Sequence, residues 1–255
     1  MQHKVLYYGP MTEQELSALL SKEHKTPAQL KPVPEGQPFI EQAATDNEVL
    51  IAPYDAKNIY MRMYHNEGRS WNPEEAAVQE VFNEYFGGGM NGIVFQEMRE
   101  ARGLAYNAYA YYYSPDYKDR KEYYMTHIIT QNDKMTDCIT HFHEILNEMP
   151  ASETAFQIAK DAVTKRLASS RTTKSGVINS YLNAQKLGLN ISFNELIYKN
   201  LDKVTLQDIV AFEKLTMANK PYRYVILGDE KELDMGTLEK LGPIRRLTTE
   251  EIFGY

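Results

Sequence analysis

Cysteine is nearly absent from this sequence: Cys138 is the single thiol in 255 residues. An internal disulfide framework is therefore excluded, and Cys138, set in a helical pattern, reads as a small buried hydrophobe. Long apolar runs are missing as well, and with a mean hydropathy of -0.52 no segment suits a bilayer span. Positive charge is in deficit, 28 Lys and Arg against 35 Asp and Glu for a net -7, which gives nucleic acid no broad electrostatic footprint. The opening MQHKVLYYGP carries no basic stretch followed by an apolar core, so no secretory signal is read there and the compartment stays open.

Catalytic signatures are equally scarce. Histidines stand at 3, 24, 65, 127, 141 and 143, and only His141 and His143 are close in sequence. On a helix, positions two apart point roughly 200° from each other, so this pair cannot grip one metal ion from one face. Neither HExxH nor HxxEH occurs, and no metal ligand set is assigned. The run Gly87, Gly88, Gly89, Met90, Asn91, Gly92 leads toward a helix but lacks the Gly-Lys-Ser/Thr ending of a phosphate loop. It also follows a helix rather than a strand, which excludes a dinucleotide fingerprint. Two readings stay open for it: a helix cap with a tight link, or a flexible loop offering backbone donors to a ligand.

What the chain does contain is enough length for a substantial core and clear periodicity. EVLIAP (48–53) and NIYMRMYHN (58–66) read as strands, the second alternating Ile59, Met61 and Met63 against Tyr60, Arg62 and Tyr64. Asn72-Pro73 marks a helix start, followed by Val78, Val81, Phe82, Tyr85 and Phe86 on one stripe and a stop at Gly87. A second helix is predicted over 91–101, ending near Gly103. Strands at 104–113 and 122–130 follow, the first crowded with tyrosines that suit a half-buried sheet surface. From Asp133 the pattern turns helical, with Met135, Ile139, Phe142, Leu146 and Met149 on one face. Further helices are read over 153–170, 175–189 and 205–219, the last opened by a Thr205/Asp208 capping box. A closing strand at 222–227 completes an α+β arrangement: a largely antiparallel sheet with helices on one face.

The ends of the chain share a grammar. YRYVILGDEKEL (222–233) and HKVLYYGPMTEQEL (3–16) each read as an apolar strand, a glycine and a polar stretch, about one domain length apart. The expectation is that residues 1–24 close a preceding homologous domain, that the proline-rich 25–40 is a linker and that 41–255 is the domain proper.

The segment FGGGMNGIVFQEMREARGLAYNAYAYY (86–112) resembles the M16 metallopeptidases, in which a glycine-rich link precedes a helix ending in RExxGLAY, and the LEKLG of the C-terminal tail fits the same family. Members pair a zinc-bearing half carrying HxxEH with a homologous half lacking it, and the two enclose an unfolded peptide. The resemblance therefore implies an M16-like inactive peptidase domain, with zinc in the catalytic HxxEH-bearing partner domain or subunit and a peptide as substrate. It also implies that Arg99 and Tyr106, seven positions apart, reach across to the zinc site, with Arg102 as a competing arginine. Gly87, Gly88, Gly89 and Asn91 become a candidate substrate loop. The alternative it leaves is a structural or protein-binding module of the same fold without proteolysis.

Overall fold

The computed structural model describes residues 4–37 and 39–254; Met1, Gln2 and His3 of the N-terminal segment, Pro38 of the proline-rich stretch and Tyr255 lie outside them. Five of the six strands among the described residues coincide with segments read as strands: β1 (Glu48–Pro53), β2 (Asn58–His65), β3 (Asn107–Tyr113), β4 (Tyr123–Gln131) and β5 (Arg223–Gly228). The sixth, β6 (Ile244–Arg246), was not anticipated, because Ile-Arg-Arg carries no alternation. The sheet order is β3-β4-β2-β5-β1-β6. The β3–β4, β4–β2 and β2–β5 pairs are antiparallel, whereas β1 runs parallel to both β5 and β6. The sheet is thus mixed: β5 returns after nearly the whole domain to lie between β1 and β2.

Ile59, Met61 and Met63 of β2 point into the core, as their alternation requires. They meet α2 (Ala76–Phe86), whose Val81, Phe82, Tyr85 and Phe86 are buried, and α4 (Met135–Asn147), whose Met135, Ile139, Phe142 and Leu146 are buried. Phe82 stacks on Phe86 with ring centroids 5.4 Å apart and tilts against Phe212 at the same distance. Each such ring contributes about 1.5–3 kcal/mol by leaving water. The Tyr85 hydroxyl ties this layer to the next: it donates to the Pro150 carbonyl at 2.6 Å and accepts the Ser152 N–H at 2.9 Å, at the entry to α5 (Glu153–Ser169).

The helical layer continues through α6 (Lys174–Leu187), α7 (Phe193–Leu201) and α8 (Leu206–Thr216). α7 is new relative to the periodicity; its signal is local, the Ser192 hydroxyl accepting the Glu195 N–H. α8 opens on the Thr205/Asp208 capping box. Beyond β5 come α9 (Met235–Leu241) and α10 (Thr249–Phe253). The opposite face of the sheet carries a tyrosine ladder: Tyr113 stacks on Tyr123 at 4.8 Å, and Tyr64, Tyr111 and Tyr109 extend it.

Residues 4–8 form no strand, despite their strand-like grammar. A strand needs a neighbour to take its backbone groups, and none of the described residues provides one. The following helix, α1 (Glu13–Glu23), is well capped by Thr12 and Glu15 yet has no buried residue.

Beneath the sheet, Glu213 of α8 is 1% exposed, and neither of its carboxylate oxygens has a hydrogen-bond partner among the described residues. The buried Tyr124 hydroxyl and His65 Nε2 are unpartnered in the same sense. Tyr124 and His65 are cross-strand neighbours on β4 and β2. Glu122, two residues before Tyr124, meets Arg69 at 3.4 Å and the Tyr112 hydroxyl at 3.2 Å.

Candidate functional site

After α2 the chain runs through the glycine loop into α3 (Ile93–Phe95), which passes into a π-helical turn at Gln96–Ala101. Such turns widen the helix and re-aim its side chains. The helix ends on Gly103, whose φ of +56° is the left-handed conformation that glycine adopts without steric cost. The reversal sends the Leu104 and Ala105 N–H groups back to the Met98 carbonyl at 2.8 and 3.0 Å, and the Tyr106 N–H onward to Ile129 of β4 at 2.9 Å. Seven positions of sequence are thereby folded into a corner that sets Tyr106 beside Arg99.

At that corner the Arg99 guanidinium lies over two rings, 5.0 Å from the centroid of Phe95 and 5.7 Å from that of Tyr106. Tyr106 is 77% exposed, and the Arg99 side chain is about half exposed, with Glu100 at 3.6 Å as its ion-pair partner. A cation held over two aromatic faces keeps its outward N–H donors available, because the rings take none of them. Arg102 is placed differently: it lies 3.8 Å from Glu97, which also faces the buried His141 at 3.4 Å. The geometry therefore joins Arg99 rather than Arg102 to Tyr106. Phe95, four residues before Arg99 on the same helical face, escaped the sequence reading; its signal was the i, i+4 spacing to the arginine.

The glycine loop has a strong structural component. A Cβ on Gly87 would lie 2.0 Å from the Ala110 carbonyl oxygen, so only glycine lets the end of α2 approach β3. Gly87 and Gly88 both direct their N–H groups to the Asn83 carbonyl, at 3.1 and 2.7 Å. Those donors are engaged in capping α2, and the exposed part of the loop is Gly89, Met90 and Asn91. Gly87→Ala is expected to cost about 1–3 kcal/mol of stability through backbone overpacking, read as a lowered urea midpoint. An unchanged midpoint would show that the helix–strand approach is looser than this contact.

The two neighbouring histidines face different surroundings. His141 Nδ1 lies 2.9 Å from Glu144 while its Nε2 faces Glu97. His143 Nε2 meets the Tyr224 hydroxyl at 3.0 Å, and burial holds His143 below the usual imidazole range. Among the described residues no group of three or more His, Cys, Asp or Glu side chains could hold a metal ion, and no helix is long and apolar enough to cross a membrane.

With this geometry in place, a family described as "Peptidase M16 inactive domain" matches residues 3–163, which is more than half of the chain and runs through the proline-rich segment. Comparison with curated proteins finds no match. Among solved structures, the peptidase M16 inactive domain from Pseudomonas fluorescens superposes with a TM-score of 0.63 at 16% identity, covering 86% of this chain and 52% of that one. The periplasmic protease PqqL from Escherichia coli gives 0.63 at 15% identity, covering 87% and 25%. A chain of the complex III2 structure from Candida albicans with Inz-5 bound gives 0.59 at 15% identity, covering 91% and 57%. The chain thus spans about half the length, or less, of the first structures it matches, and at these identities the superpositions establish the fold. With more than half of its length matched by the family, this chain belongs to the M16 peptidases, as an inactive domain.

Proposed function

We propose that this chain is the non-catalytic part of an M16 zinc peptidase, helping to enclose an unfolded peptide and presenting Arg99 and Tyr106 to a zinc site carried by another domain or subunit. The observation that carries this reading is the Phe95–Arg99–Tyr106 corner, where a fixed cation and an exposed phenol stand together. A guanidinium and a phenol are donors that can hold peptide carbonyl oxygens or stabilise the oxyanion of a tetrahedral intermediate. Zinc and its bound water would come from a half bearing HxxEH. In this reading, residues 1–24 belong to a preceding homologous domain, 25–40 tether it and 41–255 form the inactive domain; the unburied α1 supports that division. The Gly89–Asn91 tip then lies where a peptide passes.

The second reading, a protein-binding or structural module without proteolysis, is favoured by the similarity to a chain of the complex III2 structure. Hydrolysis separates the two. This chain is combined with the HxxEH half encoded with it, and turnover of an unfolded fluorogenic peptide is compared for wild type and Tyr106→Phe. Lower kcat with unchanged circular dichroism supports the split site. No hydrolysis from the intact assembly leaves the binding module.

A further inference from the structure

β3 is an edge of the sheet, and an edge strand presents unpaired backbone groups that recruit another chain. Here three of those groups are taken by α2 and the glycine that caps it. The Asn83 side chain accepts the Tyr112 N–H on Oδ1 at 2.8 Å and donates from Nδ2 to the Tyr112 carbonyl at 2.9 Å. One turn earlier, Gln79 donates to the same carbonyl at 3.4 Å and accepts the Ser114 hydroxyl at 2.6 Å. Two residues back along the strand, the Ala110 N–H donates to the Gly87 carbonyl at 3.2 Å. A primary amide offers one acceptor and a donor side by side, the same pair that a residue of a neighbouring strand would present.

We propose that Asn83, assisted by Gln79 and Gly87, acts as a strand surrogate that closes the β3 edge at Ala110 and Tyr112 to an added chain. The stretch of edge from Ala110 to Tyr112 is then barred from strand addition. The closure stands whether or not the domain belongs to a working peptidase, since it rests only on α2 and β3. It also gives Gly87 two roles at one place: its missing side chain admits the close approach, and its carbonyl occupies the second edge donor.

Hydrogen exchange and peptide binding test this together. In wild type, the Tyr112 amide, which points away from the sheet, is expected to be protected. Asn83→Ala is expected to speed its exchange by about tenfold or more. The same variant should bind a synthetic peptide of residues 107–113 and show concentration-dependent association in sedimentation velocity, and wild type is expected to do neither. Asn83→Asp, which keeps the acceptor but presents a carboxylate oxygen to the Tyr112 carbonyl, should behave like the alanine variant. A Tyr112 amide that exchanges freely in wild type overturns the proposal, and this decides the matter even if the variants fail to fold. Folded variants that exchange faster yet neither associate nor bind the peptide overturn it as well.

Discussion

Arg99→Ala is expected to lower turnover of an unfolded peptide by the assembled peptidase about 10²–10³-fold, the usual range for losing one oxyanion donor. The fold should hardly notice, because the side chain is half exposed and its ring contacts are worth about 0.5–1 kcal/mol each. That contrast makes the variant informative: kcat falls while the thermal midpoint stays nearly in place. Arg99→Lys keeps the charge but loses the planar fork and its fit over the rings, so it should recover only part of the rate. Phe95→Leu keeps the arginine and removes the ring that orients it; a smaller loss, about tenfold, is expected. If Arg99→Ala leaves turnover unchanged, the corner is ordinary helix-end chemistry and the domain serves to enclose or assemble.

How much of this was legible in the sequence depends on the range of the interaction. β2 and α2 were readable because burial on one face imposes a period that each residue reports locally. β6 was not, since three residues next to β1 become a strand only through the neighbour. The strand-like 4–8 segment fails in the opposite sense: its pattern is present, but nothing among the described residues pairs with it. At the candidate site, Arg99 and Tyr106 were flagged through a family resemblance. Their contact depends on the Gly103 reversal and the π-helical turn, and residue types do not reveal the latter. Gly87 looked like part of a ligand loop because the Ala110 carbonyl it must approach is far along the chain. Asn83 gave no sign at all, since an asparagine on a helix is polar surface until an edge strand lies beside it.

Raising the pH from about 5 to 8 is expected to destabilise the wild-type domain relative to Glu213→Gln. Burial pushes the Glu213 carboxyl up to about 7, with the nearby Lys214 acting weakly against the shift. The folded state therefore keeps a proton that the unfolded chain, with an ordinary glutamate, has already released. Stability is fullest below the unfolded value near 4.5 and falls as pH rises, levelling off above about 7. A shift of this size corresponds to about 3 kcal/mol over the whole window. Glu122 is also raised to about 7 by burial, against the pull of Arg69, and adds dependence of the same sign. The informative quantity is thus the difference between wild type and Glu213→Gln at each pH. At pH 8 the variant should be the more stable by up to about 3 kcal/mol, or roughly 6–12 °C in midpoint. At pH 5 the two should nearly coincide, because a neutral acid and an amide meet the same unpartnered surroundings. Parallel curves would mean that Glu213 ionises in place, with water reaching its oxygens, so that the buried carboxyl imposes no penalty on the fold.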